Sequence, residues 1–108
     1  MKKSLQHAMN FWVESAFDEM KNDFATEVNV FHEWEQLRTC QAYVTETQNF
    51  YVLRSYNTIV ACIRKDSLQS YDFLRMVFGY TATSAQHISK FFKDYSDYRI
   101  MPYVYRDI

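Results

Sequence analysis

The apolar period of this chain changes twice, and few folds accommodate that. Up to about residue 38 the apolar residues recur at helical spacing, from residue 41 they come in short runs of strand formers, and after residue 83 the helical period returns. Leu5, Met9, Trp12, Ala16, Met20 and Phe24 form one stripe, widened by Ala8, Val13 and Phe17, and predict a helix over residues 3–23. Val30, Phe31, Trp34 and Leu37 predict a second helix over 26–38, with Thr26 as its N-cap and Glu27 in its first turn.

Ala42–Thr45, Phe50–Leu53 and Thr58–Ile63 read as strands. The last two form a hairpin around Ser55-Tyr56-Asn57, where Asn57 tolerates positive φ. Residues 72–79, with Phe73, Met76, Val77 and Phe78, read as a further strand closed by Gly79. Thr83-Ser84-Ala85-Gln86 has the form of a capping box that opens a helix through His87, Ile88, Phe91 and Phe92 and ends it between Tyr95 and Arg99. Pro102 stops any continuation, and Tyr103-Val104-Tyr105 is strand-like. The expected fold is therefore one α+β domain over residues 1–108: two N-terminal helices, a small antiparallel sheet of three or four strands, and a helix near the C-terminus.

Composition excludes several activities. One glycine and one proline leave no room for a GxxxxGK[ST] loop or a GxGxxG fingerprint, which need several glycines close to phosphate. Net charge is −1, neither a strongly basic nucleic-acid binder nor a uniformly acidic mimic of DNA. No apolar run reaches the ~18 residues of a membrane span, and the polar interruptions Gln6, His7, Asn10 and Glu14 argue against a signal peptide. With only Cys40 and Cys62, far apart, reduced thiols in a cytoplasm are expected. Nine Tyr, nine Phe and two Trp are more aromatics than 108 residues readily bury, so some should face solvent, as interface residues do.

Charge is unevenly spread. Residues 14–46 carry eight carboxylates against Lys21 and Arg38 alone, whereas residues 47–108 carry a small basic excess. An acidic helical face of Glu14, Asp18, Glu27, Glu33 and Glu35 suits docking on a basic surface, with Tyr98, Tyr103 and Tyr105 as exposed anchors.

Ser55-Tyr56-Asn57-Thr58-Ile59-Val60-Ala61, followed by Gly79-Tyr80-Thr81-Ala82-Thr83-Ser84 and by His87-Ile88 with Phe91, resembles a small domain of uncharacterised phage and mobile-element proteins of Gram-positive bacteria. There an SYNTIVA strand precedes a YTxTTSxHIxxF helix start. Ser55, Tyr56, Asn57, Thr58, Tyr80, Thr81, Thr83, His87 and Phe91 match; Ser84-Ala85 departs from the pattern at the helix start. The resemblance covers about residues 50–95. It implies a mobile-element setting, in which small non-enzymatic proteins, anti-CRISPR proteins among them, bind and block a host-defence nuclease.

Other chemistries have their own candidate residues. His32, Cys40, Cys62 and His87 are a donor set for a structural zinc if the hairpin and both flanking helices converge, although no CxxC or HxxxH pair supports it. His87 with Thr83, Ser84 and Asp94 can be written as a hydrolase triad, without a nucleophile elbow. The pairs Glu14/Asp18 and Glu19/Asp23 share a helix face and read as surface charge, not as a hard-cation site. Arg54, Arg64, Lys65, Arg75, Lys90, Lys93, Arg99 and Arg106 among many tyrosines permit the alternative of a nucleic-acid-binding accessory protein using a basic sheet face. The leading expectation is an inhibitor that binds a CRISPR effector nuclease or another host-defence protein through its acidic face, with no membrane and no direct nucleic-acid contact.

Overall fold

A computed structural model describes residues 2–77 and 81–106, with side chains from Gln6 onward. Leu5 of the expected α-helical stripe, and Phe78, Gly79 and Tyr80 of the expected strand and motif, lie outside its described side chains. The chain runs α1 (Lys2–Thr26), β1 (Glu35–Gln36), β2 (Ala42–Glu46), β3 (Phe50–Ser55), β4 (Thr58–Arg64), β5 (Ser70–Asp72), α2 (Leu74–Val77), α3 (Ala82–Tyr95) and β6 (Tyr103–Val104). The class is α+β, as expected. Among the described residues the sheet has six strands in sequence order, the first five antiparallel and β6 parallel to β5. The excess over three or four strands comes largely from the two-residue edges β1 and β6.

The expected second helix over 26–38 does not form. Thr26 closes α1 instead of capping a new helix, its hydroxyl donating to the Asp23 carbonyl (3.1 Å), and residues 27–34 are turn and extended chain leading into β1. The apolar residues that suggested a helical face go to three different places. Val30 and Phe31 are exposed, Trp34 packs against the core beneath α1, and Leu37 enters the core beneath α3.

Those two cores occupy opposite faces of the sheet. Phe50, Val52 and Cys62 meet Val13, Ala16 and Met20 of α1, while Leu53, Ala61 and Ile63 meet Ile88 and Phe91 of α3. Strand side chains alternate between faces, so a sheet covered on both sides needs apolar residues in succession. That is the origin of the buried run Val60-Ala61-Cys62-Ile63. The run also contains a bulge. Leu53 pairs with Ala61 and Arg54 with Ile59, leaving Val60 unpaired, and Val60 and Ala61 both enter the α3-side core. On α1 the buried stripe is Val13, Ala16 and Met20; Trp12 flanks it and is half exposed, contrary to its expected inward position.

The β3–β4 hairpin turns on Tyr56-Asn57, but the positive φ (54°) falls on Tyr56 and not on Asn57. Arg38 and Leu68 hold the other positive φ values among described non-glycine residues. With a single glycine in the chain, bulky residues take left-handed positions, each at roughly 1–2 kcal/mol. At Tyr56 the backbone N–H donates to Gln41 O (2.9 Å) and the ring lies against His87. Of the strand expected over 72–79, only Asp72 is in a strand among the described residues, as the last residue of β5; Leu74–Val77 instead form the single turn α2, whose start is fixed by the Leu74 N–H donating to Asp72 Oδ1 (2.9 Å). The capping residue of α3 is Thr81, not Thr83: its hydroxyl accepts from the Ser84 N–H (3.3 Å).

Candidate functional site

Two carboxylates at the end of α1 organise the β2–β3 connection. Asp23 is buried and accepts from the Thr47 hydroxyl (2.8 Å), the Asn49 N–H (3.0 Å) and the Asn49 amide (3.0 Å). Glu27 accepts from the Gln48 N–H (3.0 Å) and faces His32 Nε2 (2.9 Å). Phe24 sits edge-on to His32 and stacks with Trp34 (ring centroids 4.9 and 6.3 Å). Between these anchored residues, the Phe31 ring is 89% exposed.

Beside Phe31 the β1–β2 edge and the last turn of α3 enclose a cleft of about 270 Å³. Pairing puts Glu35 opposite Val44 and Glu46 opposite Tyr51. Residues directly opposite each other share a face, which is why these side chains reach Tyr95. Glu33 lines the same cleft. The rings of Tyr51 and Tyr95 lie 5.6 Å apart. Burial, followed by the negative charge of Glu35, Asp94 and Glu46, pushes the Tyr95 hydroxyl above the ordinary phenol range, as expected for a site with surplus negative potential. One cation serves the site already: Lys65 pairs with Glu46 (2.7 Å) and lies over the Tyr51 ring (5.6 Å). Among the described residues, Glu33 and Glu35 have no ion-pair partner.

The expected acidic face is thus divided. Glu33 and Glu35 line this cleft, whereas Glu14 and Asp18 are exposed on α1, Glu14 bordering a second cleft with His7, Asn10, Phe11 and Tyr105. Glu27 is not a free surface charge, being occupied by Gln48 and His32. Tyr98 is 87% exposed, while Tyr103 and Tyr105 are half-buried against the α1-side core, Tyr103 edge-on to Tyr71. Sequence reasoning missed Tyr51, Glu46 and Tyr95; the one available signal was the Glu46/Tyr51 pairing implied by a β2–β3 hairpin.

The proposed zinc ligands are parted by the sheet. Cys62 is buried on the α1 side, where burial pushes its thiol well above the usual range. His87 lies on the α3 side, Cys40 at the β1–β2 turn beside Lys90 Nζ (3.2 Å), and His32 beside Glu27. Among the described residues no three His, Cys, Asp or Glu side chains gather as a metal site.

The His87 constellation differs from the expected triad. His87 is in the second turn of α3; its Nδ1 shares a hydrogen bond with Ser55 Oγ (2.8 Å), which in turn contacts Ser84 Oγ (3.1 Å). Asp94 is engaged by Arg38 through two bonds of 2.9 and 2.6 Å, and Thr83 is exposed. Ser55 and His87 are 3% and 5% exposed. They join the hairpin to α3, so the motif residues Ser55, Tyr56, Thr81 and His87 converge on a structural junction.

A family model described as a family of unknown function matches residues 26–105. No curated protein and no solved structure matches the chain.

Proposed function

Since the chain belongs to DUF8033, that family of unknown function, we propose a role read from its surface: a non-enzymatic binding module whose acidic, aromatic-lined cleft docks on a basic protein surface. The observation that carries this reading is the pair of unpaired carboxylates, Glu33 and Glu35, beside the exposed ring of Phe31. Desolvated rings with complementary charge at their rim are how protein interfaces gain both affinity and orientation. In its finer form the partner is a host-defence nuclease of the RNA-guided class, whose nucleic-acid channel is basic, and binding blocks loading sterically. The alternative of a basic sheet face for nucleic acid has less support, because α1 and α3 cover the central strands and Arg64 and Lys65 are paired with Glu19 and Glu46.

The test is co-purification and inhibition with an RNA-guided nuclease. Glu33→Lys/Glu35→Lys should abolish capture, while Glu14→Lys/Asp18→Lys on α1 should leave it intact. Capture that survives reversal at the cleft overturns the reading.

A further inference from the structure

The way this protein seats its own cations indicates what the cleft takes. Arg54 lies over the rings of Trp34 (4.5 Å) and Tyr43 (5.1 Å). Arg64 lies over Phe50 (4.9 Å) and Tyr71 (5.8 Å) while its guanidinium pairs with Glu19 (2.6 Å). Lys65 covers Tyr51 and pairs with Glu46. The cleft repeats this combination of rings and carboxylates at Phe31, Tyr95, Glu33 and Glu35, yet no described cation pairs with those two carboxylates. Its volume of about 270 Å³ falls just short of the roughly 300–1,000 Å³ of small-molecule sites and suits one long side chain.

Between the two cationic side chains, guanidinium fits better than ammonium. It is planar, stacks on ring faces, is more weakly hydrated, and offers paired N–H donors to a carboxylate. The geometry points to an arginine side chain of the partner protein as the occupant of this cleft, held between Phe31 and Tyr95 with its guanidinium on Glu33 and Glu35. This inference rests on the docking reading and adds the chemistry of the partner's anchor.

The probes are three tripeptides, acetyl-Gly-Arg-Gly-amide and its lysine and citrulline counterparts, titrated at millimolar concentration into the 15N-labelled full chain. With arginine, amide shifts should be confined to residues 31–35, 44–46, 51 and 95. Lysine should bind more weakly by about tenfold, and uncharged citrulline should give no shifts. Glu33→Gln/Glu35→Gln, whose spectrum reports an unchanged fold, should lose the response. Equal binding of lysine and arginine, shifts elsewhere, or no shifts with arginine overturn the inference. The two failures are separable: lysine equal to arginine with nuclease capture still lost in Glu33→Lys/Glu35→Lys removes only the arginine assignment. Localised arginine binding with capture unaffected removes only the docking reading.

Discussion

His87 is held neutral by its surroundings. Burial, with the Lys90 ammonium as a second cause, keeps its imidazole below the ordinary value of 6.5. The unfolded chain therefore takes up a proton at higher pH than the folded one, and His87 contributes stability that is complete above 6.5 and is lost as pH falls toward the lower folded value. Urea midpoints should drop between pH 7.5 and pH 5, and His87→Gln should flatten that drop; an equally steep profile in the variant would refute the assignment. The two cysteines provide a second test. Cys62 is buried and its thiol protonated, while Cys40 is partly exposed. A thiol-specific reagent should titrate one thiol in the native protein and two in denaturant. That Cys62 and His87 are interior residues follows from residue type and from their places in apolar runs. That they face opposite sides of the sheet depends on strand phase and on the Val60 bulge, which no spacing rule announces.

At the level of elements, α1, the three central strands and α3 were legible because each carries its own period over enough residues to be distinguished from the other. Residues 27–38 were not. Their apolar spacing imitates a helix, but Trp34 and Leu37 belong to cores on opposite faces, and what fixes the segment is contact with chain far away in sequence. Asp23 and Glu27 are central to this, since they bind the Thr47–Asn49 connection directly. Asp23→Ala leaves buried donors without an acceptor and should cost about 2–3 kcal/mol in urea unfolding at pH 7; Thr47→Val, which removes one hydroxyl, should cost about 1 kcal/mol. The candidate cleft was half legible for a related reason. Glu33 and Glu35 stood out as charge, whereas their grouping with Phe31 and Tyr95 requires the β1–β2 pairing and the end of α3.

Taken whole, the molecule is a sheet with a helix on each face, and each half depends on the sheet for its partner residues. Phe91, on the inner face of α3, is fully buried, and Phe91→Ala should cost about 3–5 kcal/mol. Because the sheet separates it from Met20 on the inner face of α1, the double variant Phe91→Ala/Met20→Ala should show nearly additive losses, whereas strong coupling in the cycle would mean that the two cores are one. Alpha-helix α1 is completed from an unexpected direction. Asn10 donates to the Arg106 carbonyl (2.6 Å) and accepts from its N–H (3.0 Å), and Gln6 donates to the Val104 carbonyl (3.1 Å), 98 positions later in the chain. At ribosomal speeds of about 5–20 residues per second, α1 waits on the order of 5–20 s for the strand that seats it. During that interval Val13, Ala16 and Met20 lack the part of their cover that Tyr103 and Tyr105 supply, so the apolar stripe of α1 stays partly open until β6 emerges.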